Sequence, residues 1–389
     1  MCEVKINIAD SVLTICLDGR VDSTNSPQVE QAILSQVQSH TDLSWVIDAD
    51  KLEYISSAGL RVILRLKKLN KTLKIINASS DVYDVFEMTG FTEMMTIEKA
   101  YRRLSVEGCE TIGFGSNGVV YRLDADTIIK VYRNPDSLPE IHRERELART
   151  AFVSGVPTAI PYDVVRVGDS YGSVFELLNA RAFSKIYAEE PERRGEIVEK
   201  YVELLKTIHS TPVNTSDMPD EKQVAVDWVE FLEKHLPADI YTKLHDMITA
   251  VPDCHTMLHG DCHLKNLMMQ NGETLLIDMD TLCYGHPVFE FASIYLAYMG
   301  FGALDPSVTL KFHGIDQDTA AGLWDATVKA YFGTDDEEKL KYYVDKAEII
   351  GLVRLLRRTI KREPENTAMI EYCKGKLLTL VPQVDSLYY

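Results

Sequence analysis

Apolar and polar residues alternate from the first few positions. Val4-Lys-Ile-Asn-Ile8 and Val12-Leu-Thr-Ile-Cys-Leu17 read as strands with a turn at Ala9-Asp10-Ser11, so a β-hairpin is expected. The period then changes. Ser26-Pro27 sets an N-cap before a proline at the first helical position, and Val29, Ile33, Leu34 and Val37 follow at helical spacing. Leu43 to Ile47 predicts a short buried strand ending in Asp48. A helix from near Ser57 to Leu69, a strand over Leu73 to Ile76 and a last helix over about Val82 to Met88, ending at Gly90, complete the pattern. Strands followed by alternating helix and strand predict a small α/β layer domain.

Residues 99–107 break the pattern, with Lys99, Arg102 and Arg103 ahead of Gly108, and it restarts at Thr111; the boundary is placed at residue 104. Gly113-Phe-Gly-Ser-Asn-Gly118 is a glycine-rich loop. A dinucleotide site would open a helix after it, whereas Val119 to Leu123, a turn at Asp124-Ala-Asp126, and Ile128 to Tyr132 read as two antiparallel strands. Beyond them come a helix over Pro139 to Ser154, a strand over Ser173 to Leu178, and helices over Glu196 to Ser210, Ala225 to Leu236 and Tyr241 to Ile248. A final helix is expected over Lys339 to Lys361. Its basic run of Arg354, Arg357, Arg358, Lys361 and Arg362 could face an anionic partner, but solvated side chains at a helix C-terminus are the expectation.

Composition narrows the class. The 389 residues are 46% hydrophobic and 26% charged, a globular balance. No apolar run is long enough to span a membrane, and Met1-Cys-Glu-Val-Lys5 alternates like a strand and is unlike a signal peptide, so a cytoplasmic protein is expected. The seven cysteines form no Cys-x-x-Cys pair and read as free thiols. The formal charge of −18 disfavours nucleic acid as a partner. It is unevenly spread: residues 1–104 carry 12 basic and 14 acidic residues, leaving 29 basic and 45 acidic for the remainder. That excess would attract a cationic ligand, although solubility alone accounts for it equally well.

In the first hundred residues Ser56 and Ser57 stand where a strand gives way to a helix, beside the unpaired amides of the first turn. With the order of elements around it, Tyr54-Ile-Ser-Ser-Ala-Gly-Leu60 resembles the STAS domain of the anti-sigma-factor antagonists across residues 3–98. In that family the serine aligned with Ser57 is phosphorylated by a partner kinase. Ser56 stands where the best-known antagonists have Asp. The resemblance implies an anti-sigma factor or another protein as partner of this domain.

In the remainder, Lys130 lies on the second strand after the glycine loop, where a phosphate-gripping lysine belongs, and the following helix offers Glu140, Glu144 and Glu146 as carboxylates to hold it. The strongest signal is His259-Gly-Asp261-Cys-His-Leu-Lys-Asn266, followed by Leu275-Leu-Ile-Asp278-Met-Asp280. An Asp and an Asn five apart, then an Asp ending an apolar strand, form a phosphoryl-transfer set: Asp261 to take a hydroxyl proton, Asn266 and Asp278 as hard oxygen ligands for Mg²⁺. Asp280 either joins in metal or substrate binding or caps the turn into Thr281. Cys254-His255, His259 and Cys262-His263 also group ligand types of a zinc site.

Residues 105 to about 360 resemble the aminoglycoside phosphotransferase and choline kinase family. The resemblance implies a bilobal protein-kinase-like domain over 105–389, with lobes 105–178 and 179–389, after the α/β STAS domain of 1–104. It implies an enzyme transferring phosphate from ATP or GTP to a hydroxyl of a small acceptor, such as an amino sugar or amino alcohol. Asp261 would be the base and Asn266 and Asp278 the magnesium ligands. Gly113, Gly115, Ser116 and Gly118 would cover the phosphates, Lys130 and Glu144 clamp them, and the backbone from Glu176 to Leu178 face the adenine. His259 would be a structural loop residue. Glu290 stands where the family usually has Asp, and the acceptor pocket is expected from helices between residues 185 and 255. The alternative is a regulator in which a protein-kinase activity phosphorylates Ser57 of its own STAS domain.

Overall fold

The computed structural model describes residues 2–9, 11–37, 39–40, 42–114 and 117–389; Gly115 and Ser116 of the glycine loop lie outside them. The chain divides into two compact units, Met1–Leu104 and Ser105–Tyr389. No helix among the described residues is long and apolar enough to cross a membrane.

In the first unit β1 (Cys2–Ala9) and β2 (Val12–Val21) form the hairpin, paired from Cys2 opposite Gly19 to Ala9 opposite Val12. β3 (Ser44–Ile55), β4 (Lys74–Ala78) and β5 (Ile97–Lys99) add in parallel, giving the order β1-β2-β3-β4-β5. Along β2 the residues Leu13, Ile15 and Leu17 are fully buried while their neighbours are not, so the sheet buries one face. The helices α1 (Ser26–Val37), α2 (Ser57–Leu69) and α3 (Ser80–Met88) contribute Ile33, Leu66 and Phe86 to the same core. A short α4 (Phe91–Met94) follows. β3 is longer than its sequence predicts. It does not stop at Asp48 because Lys51, Leu52, Tyr54 and Ile55 keep pairing with Asp18 to Val21 past two irregularities. That extension delivers the two serines to the far end of the central strand.

The small lobe of the second unit is built on antiparallel β6 (Thr111–Phe114), β7 (Gly118–Arg122), β8 (Thr127–Tyr132), β9 (Pro161–Val167) and β10 (Ser170–Glu176), paired in the order β9-β10-β8-β7-β6. α5 (Leu138–Val153) follows β8 and buries Ile141, Leu147 and Ala151. The large lobe is helical: α6 (Phe183–Glu189), α7 (Arg194–Ser210), α8 (Glu221–Phe231), α9 (Ala238–Thr249), α10 (Pro287–Tyr295), α11 (Ser307–His313), α12 (Gln317–Phe332), α13 (Glu337–Arg362) and α14 (Thr367–Leu380). α13 is therefore not the final helix. α10 went unread in the sequence because every residue from Val288 to Tyr295 is buried, which leaves no amphipathic stripe. α8 starts earlier than expected because the Asp220 carboxylate accepts from the Lys222 and Gln223 N–H groups and caps it there.

Between α9 and α10 the chain forms a hairpin, β11 (Leu267–Gln270) and β12 (Glu273–Leu276). Asn271 and Gly272 both take positive φ at its tip, as a two-residue primed turn requires. The Ile277 N–H donates to the Asn266 carbonyl at 2.9 Å, which ties the two ends of the hairpin together. Asn266 and Asp278 flank that tie.

Candidate active site

Lys130 lies on β8 opposite Val120 of β7 and Ser173 of β10. Its Nζ is 2.9 and 3.1 Å from the two Glu144 oxygens and 3.1 Å from Asp278 Oδ1. A strand, a helix and a hairpin end thus converge on one ammonium, across sequence separations of 14 and 148. Burial alone would depress the Lys130 pKa, but Glu144 and Asp278 together hold it above the ordinary lysine value. Glu144 is buried and takes a further hydrogen bond from the Tyr132 hydroxyl at 2.5 Å. Tyr132 was not singled out in the sequence. Its signal was there, since it is two residues beyond Lys130 and so on the same strand face.

On either side of the glycine loop, Phe114 of β6 pairs with Val119 of β7. Gly118 faces the neighbouring strand so closely that a Cβ would sit 2.4 Å from the Val131 carbonyl oxygen, so no larger residue fits. Gly113 has ordinary room. At the exit from the small lobe the Glu176 N–H donates to the Ile160 carbonyl and the Leu177 N–H to the Asp126 carbonyl, which fixes the strand before Leu178. Arg181 and Ala182 then pair with Met269 and Met268 of β11.

The loop from His259 to Asn266 is held from within and from behind. Gly260 has φ +78°, and a Cβ there would lie 2.5 Å from the Thr281 carbonyl oxygen. The Asp261 N–H donates to His259 Nδ1 at 3.3 Å, so the ring proton is assigned to Nε2, which donates to the Ile277 carbonyl at 3.1 Å. Both nitrogens of this fully buried ring serve the loop, which removes it from any zinc site. Among the described residues no group of three or more His, Cys, Asp or Glu could hold a metal ion. Behind the loop the Glu290 carboxylate, with no exposure, accepts from the His259 N–H at 2.6 Å, the Gly260 N–H at 3.2 Å and the Cys262 N–H at 3.3 Å. Burial pushes this carboxyl up, but His209 and the loop's N–H groups more than offset it and hold it below the usual value. His209 Nε2 is 3.9 Å away, beyond hydrogen-bond length.

Held in this way, the Asp261 side chain is 44% exposed and faces His263 Nε2 at 3.6 Å. Burial pulls the His263 pKa below its ordinary value, against the pull of Asp261, so the ring is neutral at physiological pH. Asn266 Nδ2 donates to the Asp261 carbonyl at 2.9 Å, which leaves Oδ1 as the free oxygen of that amide. Asp278 has φ +65° and an exposed carboxylate. Asp280 lies exposed on the single turn Met279–Thr281. One amide oxygen and one or two carboxylates suit Mg²⁺, which keeps several waters and phosphate oxygens in its shell.

Beside Asp261 and His263 opens a cleft of about 580 Å³ whose other walls are Trp228 of α8, Phe312 of α11 and the basic face of α13. Beside it the buried Gly260 carbonyl accepts from Ser293 Oγ at 2.8 Å and from Arg354 Nη1 at 3.2 Å, both side chains that line the cleft. Most of the lining of this cleft comes from residues 261–362, because α10 and α13 pack directly behind the loop. One sequence expectation is corrected here: the basic run of α13 is not wholly a solvated helix end, since Arg354, Arg357 and Arg358 are half-buried against the cleft.

Residues 109–343 match the family model described as the phosphotransferase enzyme family. The chain belongs to that family. Within this phosphotransferase, residues 3–104 match the STAS domain model. The same region is 36% identical over 92 residues to a Bordetella bronchiseptica protein described as an anti-sigma factor antagonist, BtrV, covering 23% of this chain and 78% of that one. Among solved structures the phosphotransferase is similar to the gentamicin complex of APH(2″)-IIa, at 14% identity and a TM-score of 0.47, over 79% of this chain and 98% of that one. It is also similar to a thermostable APH(4)-Ia mutant with AMP-PNP and hygromycin B, at 11% identity and a TM-score of 0.49, over 71% and 93%. Identities and scores this low leave both as likenesses only. The phosphotransferase is thus a kinase-type enzyme with an amino-terminal STAS domain.

In that STAS domain Ser56 and Ser57 have separate positions. Ser56 is the N-cap of α2, its hydroxyl accepting from the Gly59 N–H at 3.4 Å. Ser57 is the first residue of the helix and is exposed.

Proposed function

We propose that the carboxyl-terminal unit transfers the γ-phosphoryl group of ATP or GTP to a hydroxyl of a small molecule, under the influence of the STAS domain. The observation that carries this is the convergence of Lys130, Glu144 and Asp278 within 3.1 Å on one side of the loop that presents Asp261. Lys130 would hold the α and β phosphates, with Glu144 and Tyr132 fixing its position, so that little side-chain freedom is lost on binding. Glycines 113 to 118 would cover the phosphates, and the chain from Glu176 to Leu178 would face the base. Mg²⁺, held by Asn266 Oδ1 and Asp278, would neutralise phosphate charge. Asp261 would orient the acceptor hydroxyl and take its proton as the new P–O bond forms and the bond to the β-phosphate oxygen breaks. The acidic excess of the unit does not carry a cationic acceptor into this reading, because the cleft beside Asp261 is walled by cations.

A second reading is favoured by the exposure of Ser57 at a helix start. There a phosphate would meet free amides and a positive dipole end without displacing the Ser56 cap. In it, Ser57 is the acceptor and an anti-sigma factor or similar protein the partner.

One experiment separates the readings. Wild type, Asp261→Asn and Ser57→Ala are incubated with Mg-ATP or Mg-GTP, and nucleotide turnover and intact mass are followed. The first reading expects turnover reduced by about 10³-fold or more in Asp261→Asn, and no mass gain in any protein. Equal turnover in wild type and Asp261→Asn would refute the assignment of Asp261. A one-phosphate gain in wild type, lost in Ser57→Ala, would establish the second reading.

A further inference from the structure

The cleft beside Asp261 has the wrong charge for an amine and the right charge for a phosphate. Its α13 wall carries Arg354, Arg357, Arg358, Lys361 and Arg362, against Asp261 as the only acid in the lining. Five cations on one cleft wall repel one another unless something balances them. Among the described residues only Arg358 has a carboxylate partner within 4.0 Å, Glu363 at 3.4 Å. Three of the others lie against rings: Arg354 over Trp228 at 5.3 Å, and Arg357 and Lys361 over Phe231 at 5.8 and 4.7 Å. Ring faces orient a guanidinium and leave its edge N–H groups free. Arg357 Nε is buried without any hydrogen-bond partner, a donor whose desolvation nothing in the chain offsets. Arg354 is fixed by the Gly260 carbonyl, one residue from Asp261, so the cationic wall and the proposed base are joined through a single residue.

We infer that the acceptor is a phosphate-bearing hydroxylated small molecule, a sugar or polyol phosphate, whose existing phosphate is held by the arginines of α13 while a free hydroxyl faces Asp261. This rests on the phosphotransferase reading above and specifies its substrate class. A phosphate fits better than a carboxylate: it is a dianion, its several oxygens accept from more than one guanidinium at once, and forked arginine donors match that geometry. The cleft volume suits a ligand of monosaccharide size. Transfer moves the γ-phosphoryl group to the acceptor oxygen, delivers the hydroxyl proton to Asp261, and releases the nucleoside diphosphate together with a doubly phosphorylated product.

The test is calorimetric titration of the full chain, saturated with Mg²⁺ and AMP-PNP or its guanine counterpart. The probes are glucose 6-phosphate, glycerol 3-phosphate, inorganic phosphate, glucose and kanamycin. Binding of at least one phosphate ester, tighter than glucose or kanamycin, is expected. The Kd should rise about tenfold or more in Arg357→Gln/Arg358→Gln, and more modestly in Lys361→Gln, an exposed position whose change leaves folding intact. Asp261→Asn is expected to bind the ester as wild type does while losing turnover. Failure of the catalytic reading would therefore show as retained turnover with binding unchanged. The proposal is overturned if no ester binds at millimolar concentration, if inorganic phosphate binds and no ester does, if kanamycin binds more tightly, or if the arginine variants bind like wild type.

Discussion

Glu290 shows how one side chain can shape a site it never enters. A carboxylate sealed from water should be costly, and this one is tolerated because the N–H groups of His259, Gly260 and Cys262 and a nearby imidazole face it. Those N–H groups belong to the residues around Asp261, so the carboxylate fixes the backbone from which Asp261 projects. Glu290→Gln keeps the shape, replaces one accepting oxygen by an NH₂ group and removes the charge. The expected cost is about 3 kcal/mol of stability, read as a lower urea midpoint. Turnover should fall by about tenfold or more with little change in nucleotide affinity, because the clamp around Lys130 is left intact.

At the scale of elements, α8 and α13 face each other across the cleft and share one more charge. Glu221, in the first turn of α8, has its carboxyl pushed up to about 7 by burial, with Arg354 of α13 and the Cys283 thiol pulling it down and Glu290 and Asp220 pushing it further up. A carboxyl whose folded pKa exceeds its unfolded value is bound to its proton more tightly in the folded state. The stability tied to that proton is complete below about pH 4.5 and is lost as pH rises through about 7. Glu221→Gln should therefore match wild type in urea midpoint at pH 4.5 and exceed it at pH 8, by roughly 2 kcal/mol after allowing for residual solvent access. A constant gap at both pH values would disprove the assignment.

These elements also show what a sequence can reveal. The β8 lysine and the loop from His259 to Asn266 were legible because each is a local pattern, a hairpin period and a contiguous motif, whereas the α5 glutamate was singled out among three only by the family resemblance. The cationic wall was not legible, although Arg354, Arg357, Arg358 and Lys361 fall at i, i+3, i+4 and i+7 and so lie on one stripe of α13. A charged stripe ordinarily means a solvated face. Only the packing of α13 behind a loop some ninety residues earlier turns this one inward, and nothing local encodes that. The length of β3 escaped for a related reason, since it is set by pairing with β2 and not by its own alternation.

At the scale of the molecule the described residues form two hydrophobic cores, one running from Leu13 to Ile97 and the other from Leu147 to Leu387, with no residue in common. The chain is also two charge systems, since the 29 basic and 45 acidic residues after position 104 make the second unit strongly negative while its cleft is lined with cations. For an incoming anion these act at different ranges. Within about one Debye length of the surface the ligand meets the net negative field and is turned away, and only inside the cleft does it meet the arginines. Added salt should then accelerate capture, by screening the outer repulsion, while hastening escape even more, by weakening the inner contacts. Stopped-flow mixing of a phosphate ester with the nucleotide-loaded protein at rising NaCl is expected to show both rate constants increasing and the affinity falling. Such a protein trades speed of encounter for a threshold: in dilute electrolyte it is slow to sample anions, and it selects among them by what they can do once past the rim.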